Sequence, residues 1–255
     1  MRLRTVAGLT AVAAVLAGCG TSAIPTVLST VGSNGPTEGP SVTPTASTRG
    51  TPTPSSTQIP GFEAWSIVSP ASVEISVDGS TLVMHLTKRA LWFQASRGVL
   101  FWMSVDGDFR VSATVRTARF SDPTRAPGGD GTVQLAGLMA RAQSISEDYV
   151  HIVVGSDADG LSVETKSTTN ANSIFDGPAW PTGSAELRIC RIGTTFSLEK
   201  RPVGATTWTL AATIERPDLA GSIEVGPNIY SDSPPDLVAR YDGLRIEAIA
   251  PGGSC

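Results

Sequence analysis

The chain is short of the residues that build metal and nucleophile chemistry. Its 255 residues include two histidines, His85 and His151, and three cysteines, Cys19, Cys190 and Cys255. So few nitrogen and sulfur ligands, so far apart, make a poor zinc set. No Gly-x-Ser-x-Gly turn is present, which removes the strained serine elbow of a Ser-His-Asp hydrolase. Basic charge is scarce as well, with 19 Lys and Arg against 23 Asp and Glu. A phosphate backbone wants a basic stripe, so this balance argues against a nucleic-acid partner, and equally against a polybasic membrane contact. No apolar run is long enough to span a bilayer as a mature helix. No long stretch keeps a helical period, and no internal repeat points to a propeller or solenoid.

What is present begins at the N-terminus. Arg2 and Arg4 precede a short apolar run, Val6 to Leu16, which leads through Ala17 and Gly18 to Cys19. Charge, length and small residues match an export leader. The run Leu16-Ala17-Gly18-Cys19 resembles the lipobox of bacterial lipoprotein precursors. The resemblance implies cleavage after residue 18, a diacylglyceryl group on Cys19, and a mature chain tethered to the outer face of the cell membrane. Two or more acyl chains hold a protein stably where one does not. Loss of Arg2 and Arg4 takes the net charge from −4 to −6.

Residues 20–60 are dominated by Ser, Thr, Pro and Gly, and only Glu38 and Arg49 carry charge. Thr-Pro steps favour extended backbone, and few apolar residues are there to offset ordering entropy. With Cys19, this segment is expected to be a disordered stalk, reaching on the order of 120 Å at about 3.1 Å per residue.

From Gly61 to Cys255 the texture changes. In Asp108–Arg116, Phe109, Val111, Ala113 and Val115 point one way and Arg110, Ser112, Thr114 and Arg116 the other, the period of a half-buried strand. Thr81–Leu86 alternates too. Further strands are expected over 133–141, 149–154, 161–167, 185–192, 195–201, 207–214, 223–230 and 239–248. Turn residues separate several of them, among them Asp106-Gly107 and Asp157-Ala158-Asp159-Gly160. The pattern predicts an all-β fold, an antiparallel sandwich of two sheets. An exported pair of cysteines invites a disulfide between Cys190 and Cys255, fastening the tail to a strand. Spacing alone leaves two free thiols open.

The order of motifs resembles the concanavalin A-like lectin/glucanase superfamily. The motifs are Ala90-Leu91-Trp92-Phe93, Gly107–Val111, Ala136–Arg141, Asp148–Ile152, Leu187–Ile189 through Leu198, Thr207-Trp208 and Ala239–Ile246. The similarity is closest to a bacterial branch related to laminin-G-like jelly rolls and to the yeast "regulation of enolase" protein. It implies a jelly roll with one convex and one concave sheet, and glycan binding on the concave face or its rim. The superfamily's glucanases carry alternating acidic residues on one strand, which no segment here reproduces, so the domain is expected to act without catalysis.

Binding is the remaining reading. Alternation in Tyr149–Val154 sends Val150, Ile152 and Val154 to the core and leaves Tyr149 and His151 on the other face. Arg141 ends the preceding strand, and Glu164 and Lys166 come from the next. Trp92 and Trp180 lie near strand edges or in loops. Together they are expected to line a groove for a carbohydrate or another envelope ligand. The competing readings make the tryptophans core anchors, the domain a glycoside-active enzyme, or the domain a structural or protein-interaction module. No cofactor is expected. Asp157 and Asp159, or Asp122 and Asp130, offer calcium-type carboxylates, but plain turns explain them better.

Overall fold

The structure, a computed structural model, describes residues 61–128, 131–143, 147–233 and 235–255. The expected leader, Cys19, the stalk and Asp130 lie outside them. In chain order the strands are β1 (Ser66–Val68), β2 (Val73–Asp78), β3 (Thr81–Leu86), β4 (Val99–Val105), β5 (Phe109–Ala118), β6 (Gln134–Ala142) and β7 (Tyr149–Asp157). They continue with β8 (Gly160–Thr169), β9 (Asn172–Asp176), β10 (Ser184–Ile192), β11 (Thr195–Arg201), β12 (Thr209–Glu215), β13 (Ile223–Ser231) and β14 (Leu237–Ala248). Two antiparallel seven-stranded sheets result, one ordered β1-β4-β13-β6-β7-β8-β9 and the other β12-β11-β10-β5-β14-β3-β2. This is the two-sheet antiparallel sandwich expected from the alternation, of the jelly-roll kind that the resemblance implies.

The second sheet follows the binary pattern. On β5, Phe109, Val111, Ala113 and Val115 are buried, and Arg116 opposite is exposed. Register sets Val111 beside Ile189 and Ala113 beside Leu187 on β10, so both strands turn one apolar row inward. Each large side chain buried this way contributes about 1.5–3 kcal/mol. The outer row is laced by cross-strand ion pairs, including Arg116–Asp242, Arg188–Glu199, Arg201–Glu186 and Arg240–Asp78. Cys190 and Cys255 form a disulfide with Cα atoms 5.9 Å apart. Arg110 Nη2 donates to the carbonyls of Ser254 and Cys255 at 3.2 and 3.0 Å, so the tail lies along this sheet.

The first sheet is buried on both faces. Ala136, Leu138, Ala140, Val150, Ile152 and Val154 fill the core between the sheets. The alternate positions Leu135, Met139, Tyr149, Val153 and Tyr230 pack outward into a second cluster around Trp92. That cluster exists because the connection from β3 to β4 folds back over the outer face as a strap. Ala90 and Ser231 exchange two backbone hydrogen bonds, at 3.2 and 2.7 Å, fixing the strap to β13. The Gln94 amide donates to Ser173 Oγ at 3.2 Å on β9, and Arg97 pairs with Glu147. Trp92 Nε1 donates to Val99 O at 3.3 Å. Glycine is required at position 98, because a Cβ there would lie 2.3 Å from Trp92 Cδ1.

Four strands were not expected from sequence. β4 opens with three consecutive buried residues, Val99, Leu100 and Phe101, so it shows no alternation. β1 is three residues long, β9 is mostly exposed and β2 is largely exposed at the sheet edge.

Candidate functional site

The strap changes the fate of the residues expected to meet a ligand. Tyr149 and His151 do share the outer face with Arg141, but all three are buried. Tyr149 packs edge-on to Trp92 and stacks on His151, with centroids 5.4 and 5.6 Å apart. Burial pushes its phenol up to about 12. Arg141 is enclosed by carboxylates: Nη1 donates to Glu224 at 2.6 Å, and Nε and Nη2 fork onto Glu147 at 3.2 Å each. Burial works against its charge, and the bonds to Glu147 and Glu224 outweigh it, raising its pKa. The expectation that Arg141, Tyr149, His151 and Trp92 contact a ligand is therefore corrected: Trp92 is the plug, and the other three lie beneath it. Trp180 is off this face altogether. It packs on the core between the sheets, with its indole N–H donating to Ser184 O at 2.9 Å.

Glu164 and Lys166 remain at an opening. Beside the strap, towards β8, β9 and the β7–β8 hairpin, lies a cavity of about 530 Å³, within the range of ligand pockets. Glu164, Lys166 and Tyr230 form its floor, and the rings of Phe93 and Phe175 flank it. Phe93 is 37% exposed and Phe175 57% exposed. Asp157, Asp159, Asp176 and Asp232 also line it, together with Leu91, Val133, Ala158 and Gly177.

The floor is a charge cluster built by strand register. His151 lies opposite Lys166, and Val153 opposite Glu164, across β7 and β8. Three donors converge on Glu164 Oε1: Tyr230 OH at 2.8 Å, Lys166 Nζ at 2.9 Å and His151 Nε2 at 3.1 Å. Lys166 Nζ also donates to Trp92 O at 3.2 Å, which ties the floor to the strap. Glu164 is 6% exposed, and burial alone would raise its pKa. The His151 bond and the Lys166 charge overcome burial and bring it down to about 2. Burial lowers His151 to about 4, against the pull of Glu164. Tyr230 is pushed well above 10 by burial and the facing carboxylate. At neutral pH the cluster therefore holds an ionised Glu164, a neutral His151 and an intact Tyr230 hydroxyl.

Gly177 lets the rim approach the floor. A Cβ on it would sit 3.4 Å from Asp157 Oδ2 and 3.7 Å from Glu164 Cβ, so these two acidic side chains are neighbours across the glycine. Asp157 also accepts from the Asp159 amide at 2.8 Å, the local bond expected of a turn aspartate. Asp122 does the same for Thr124. Among the described residues, no three His, Cys, Asp or Glu side chains come close enough to hold a metal ion.

Phe93, Phe175, Asp176 and Asp232 were not singled out from sequence as site residues. The one local signal is Phe175, an aromatic beside Ile174 in the short, mostly exposed strand β9.

No family profile matches the chain, and no curated protein matches it in sequence. Solved structures do match in fold. A functionally unknown protein from Saccharomyces cerevisiae aligns with a TM-score of 0.61 at 12% identity, over 74% of this chain and 98% of that one. A xylan β-1,4-xylosidase from Bacillus halodurans C-125 aligns at 0.56 and 14%, over 71% of this chain and 35% of that one. Bacteroides ovatus xyloglucan PUL GH43B aligns at 0.52 and 15%, over 73% and 37%. At these identities the likeness concerns the fold. The chain spans about a third of the two longer proteins. The expectation of a domain without catalysis is corrected: the same fold occurs within a xylosidase chain, so it is compatible with enzyme activity even without an acidic strand motif.

Proposed function

We propose that the domain takes a glycan chain into the cavity between Phe93 and Phe175 and acts on glycosidic substrates. The observation that carries this reading is the combination of two exposed phenyl rings with an ionised, deeply set carboxylate. Pyranose rings offer C–H faces that stack on aromatics and hydroxyls that bond to fixed polar groups. Glycoside cleavage uses two carboxyl groups, one protonating the leaving oxygen and one meeting the positive charge that develops at the anomeric carbon. Glu164, held ionised by His151, Lys166 and Tyr230, suits the second role. Asp157, its neighbour across Gly177, is the second carboxyl group beside it. The xylosidase fold likeness supports this at the level of architecture only.

Export and lipidation at Cys19 complete the reading, with residues 20–60 as a stalk that holds the domain away from the membrane. Palmitate labelling lost in Cys19→Ala tests this part.

The domain's activity is tested by incubating the purified protein with xylan, mixed-linkage β-glucan and cell-wall polysaccharide, scoring depletion from solution and new reducing ends. Binding to at least one polymer, lost in Phe93→Ala/Phe175→Ala, is expected. Release of reducing ends should vanish in Glu164→Gln and Asp157→Asn. Binding without release would remove the roles of Glu164 and Asp157 in cleavage. Neither binding nor release would contradict the reading as a whole.

A further inference from the structure

The charge of the cavity narrows the sugar it takes. On the opposite sheet, acids are matched to arginines nearly one for one, as in Arg116–Asp242, Arg188–Glu199, Arg201–Glu186 and Arg240–Asp78. Around the cavity they are not. Asp157, Asp159, Asp176 and Asp232 line it, and none forms an ion pair with a described cation. Lys166 is the only basic residue among the described lining residues, and its ammonium is already committed to Glu164 Oε1 and the Trp92 carbonyl. Arg89 is close by but donates to the main-chain carbonyl of Asp232 at 2.7 Å.

A group of acids alone would not define a ligand. Here, Glu164 adds a second and independent indication. It is more than nine-tenths buried, it lines the cavity, and all three of its donors bond Oε1. Among the described residues no hydrogen bond or ion pair falls on Oε2, which leaves that oxygen to a ligand in the cavity that brings its own N–H or O–H. Phe93 and Phe175 add faces suited to a ring, and an aromatic face attracts a cation above it. Lys166 already shows that preference, lying 5.8 Å from the Phe93 centroid and 5.2 Å from that of Phe175.

We propose that the cavity selects a cationic amino sugar, a glycan carrying free, protonated amines such as a deacetylated 2-amino-2-deoxyhexose polymer, over neutral and uronic-acid glycans. The ring stacks between Phe93 and Phe175, and the ammonium is received by the rim carboxylates and Glu164 Oε2. Uronate polymers are turned away by the same carboxylates, since like charges brought together in a partly dehydrated cavity repel. This rests on the glycan reading above and specifies its substrate class.

The test is titration calorimetry on the purified protein in mildly acidic buffer, with chitosan hexamer, its fully N-acetylated counterpart, xylohexaose, a galacturonate hexamer and an oligolysine of matched charge. The expected result is chitosan binding about tenfold or more tighter than the acetylated hexamer, weakened by added salt, with no galacturonate binding. Asp157→Asn/Asp176→Asn should cost roughly three- to tenfold for chitosan alone, whereas Phe175→Ala should weaken every sugar bound. Equal affinity for xylohexaose or the acetylated hexamer overturns the amino-sugar class and keeps the glycan reading. Oligolysine binding with the same dependence on Asp157 and Asp176 overturns sugar recognition in favour of bare charge attraction. Absence of binding to every sugar overturns both readings.

Discussion

The charge cluster under the cavity makes a specific prediction for stability against pH. His151 is buried, and the groups facing it are Glu164, Lys166 and the rings of Tyr149 and Tyr230. Three influences act on it. Glu164 favours the imidazolium, while burial and the Lys166 charge oppose it. Burial is the largest, so His151 falls from 6.5 to about 4. Between those values the native state keeps His151 neutral and the unfolded chain protonates it. Stability must then fall as pH drops from about 6.5 towards 4, with a slope of up to about 1.4 kcal/mol per pH unit. Integrated over the window, the loss is about 3 kcal/mol. Glu164 acts lower down. Its pKa is depressed from 4.5 to about 2, so its contribution is complete above 4.5 and is lost as pH falls towards 2. In His151→Gln, an amide can still donate to Glu164 but cannot titrate. Urea unfolding of both proteins across this range gives the difference directly, and other ionisable groups largely cancel in it. The variant should lose less stability than the wild type between pH 6.5 and 4. Parallel profiles would show that Glu164 cancels burial, and a wild type that gains on the variant as pH falls would show that Glu164 outweighs it; either contradicts a His151 held neutral by burial.

The strap should be a main prop of the covered face: Trp92→Ala is expected to lower unfolding free energy by about 3–5 kcal/mol, read by denaturant titration, with ring-current-shifted Tyr149 resonances moving in NMR spectra. Arg141→Met leaves Glu147 and Glu224 buried without their fork and should cost about 3–5 kcal/mol at neutral pH, with part of that loss regained on acidification as Glu224, whose pKa burial already raises, protonates. Cys255→Ser opens a loop of 65 residues' separation and should cost up to about 4 kcal/mol, with wild-type protein in reductant behaving the same way.

The sandwich was legible because its second sheet has one dry and one wet face. β5 writes that difference into the sequence as strict alternation and β10 and β11 over most of their length, and β11 spans Thr195–Arg201 as expected. The first sheet is harder to read, since a strand covered on both sides loses its polar row. β4 was missed for that reason. In β7 the two rows could still be told apart, because the outer one carries Tyr149 and His151 among valines. What no local pattern could show is that a connection some sixty residues upstream would fold over them. Trp92 and Gly98 make that possible together, the glycine leaving room for the indole, and neither reveals it alone. The cavity was half visible: Glu164 and Lys166 lie on a readable strand, and Asp157 and Asp159 in a readable turn. Phe93, the pair Phe175 and Asp176 at the end of β9, and Asp232 come from three separate places in the chain, and only the tertiary fold brings them together.

The central claim is that the cavity between Phe93 and Phe175 receives a glycan. The most direct measurement is an NMR or calorimetric titration of the full domain-bearing protein with the best-binding oligosaccharide, run beside Phe93→Ala/Phe175→Ala. Both side chains are exposed, so the double variant should keep its unfolding midpoint. Stacked aromatic contacts of this kind contribute about 0.5–1.5 kcal/mol each, which predicts at least a fivefold loss of affinity, with wild-type shifts centred on Glu164, Lys166 and Tyr230. A double variant that binds as tightly as the wild type, or shifts centred elsewhere on the sandwich, would contradict the claim.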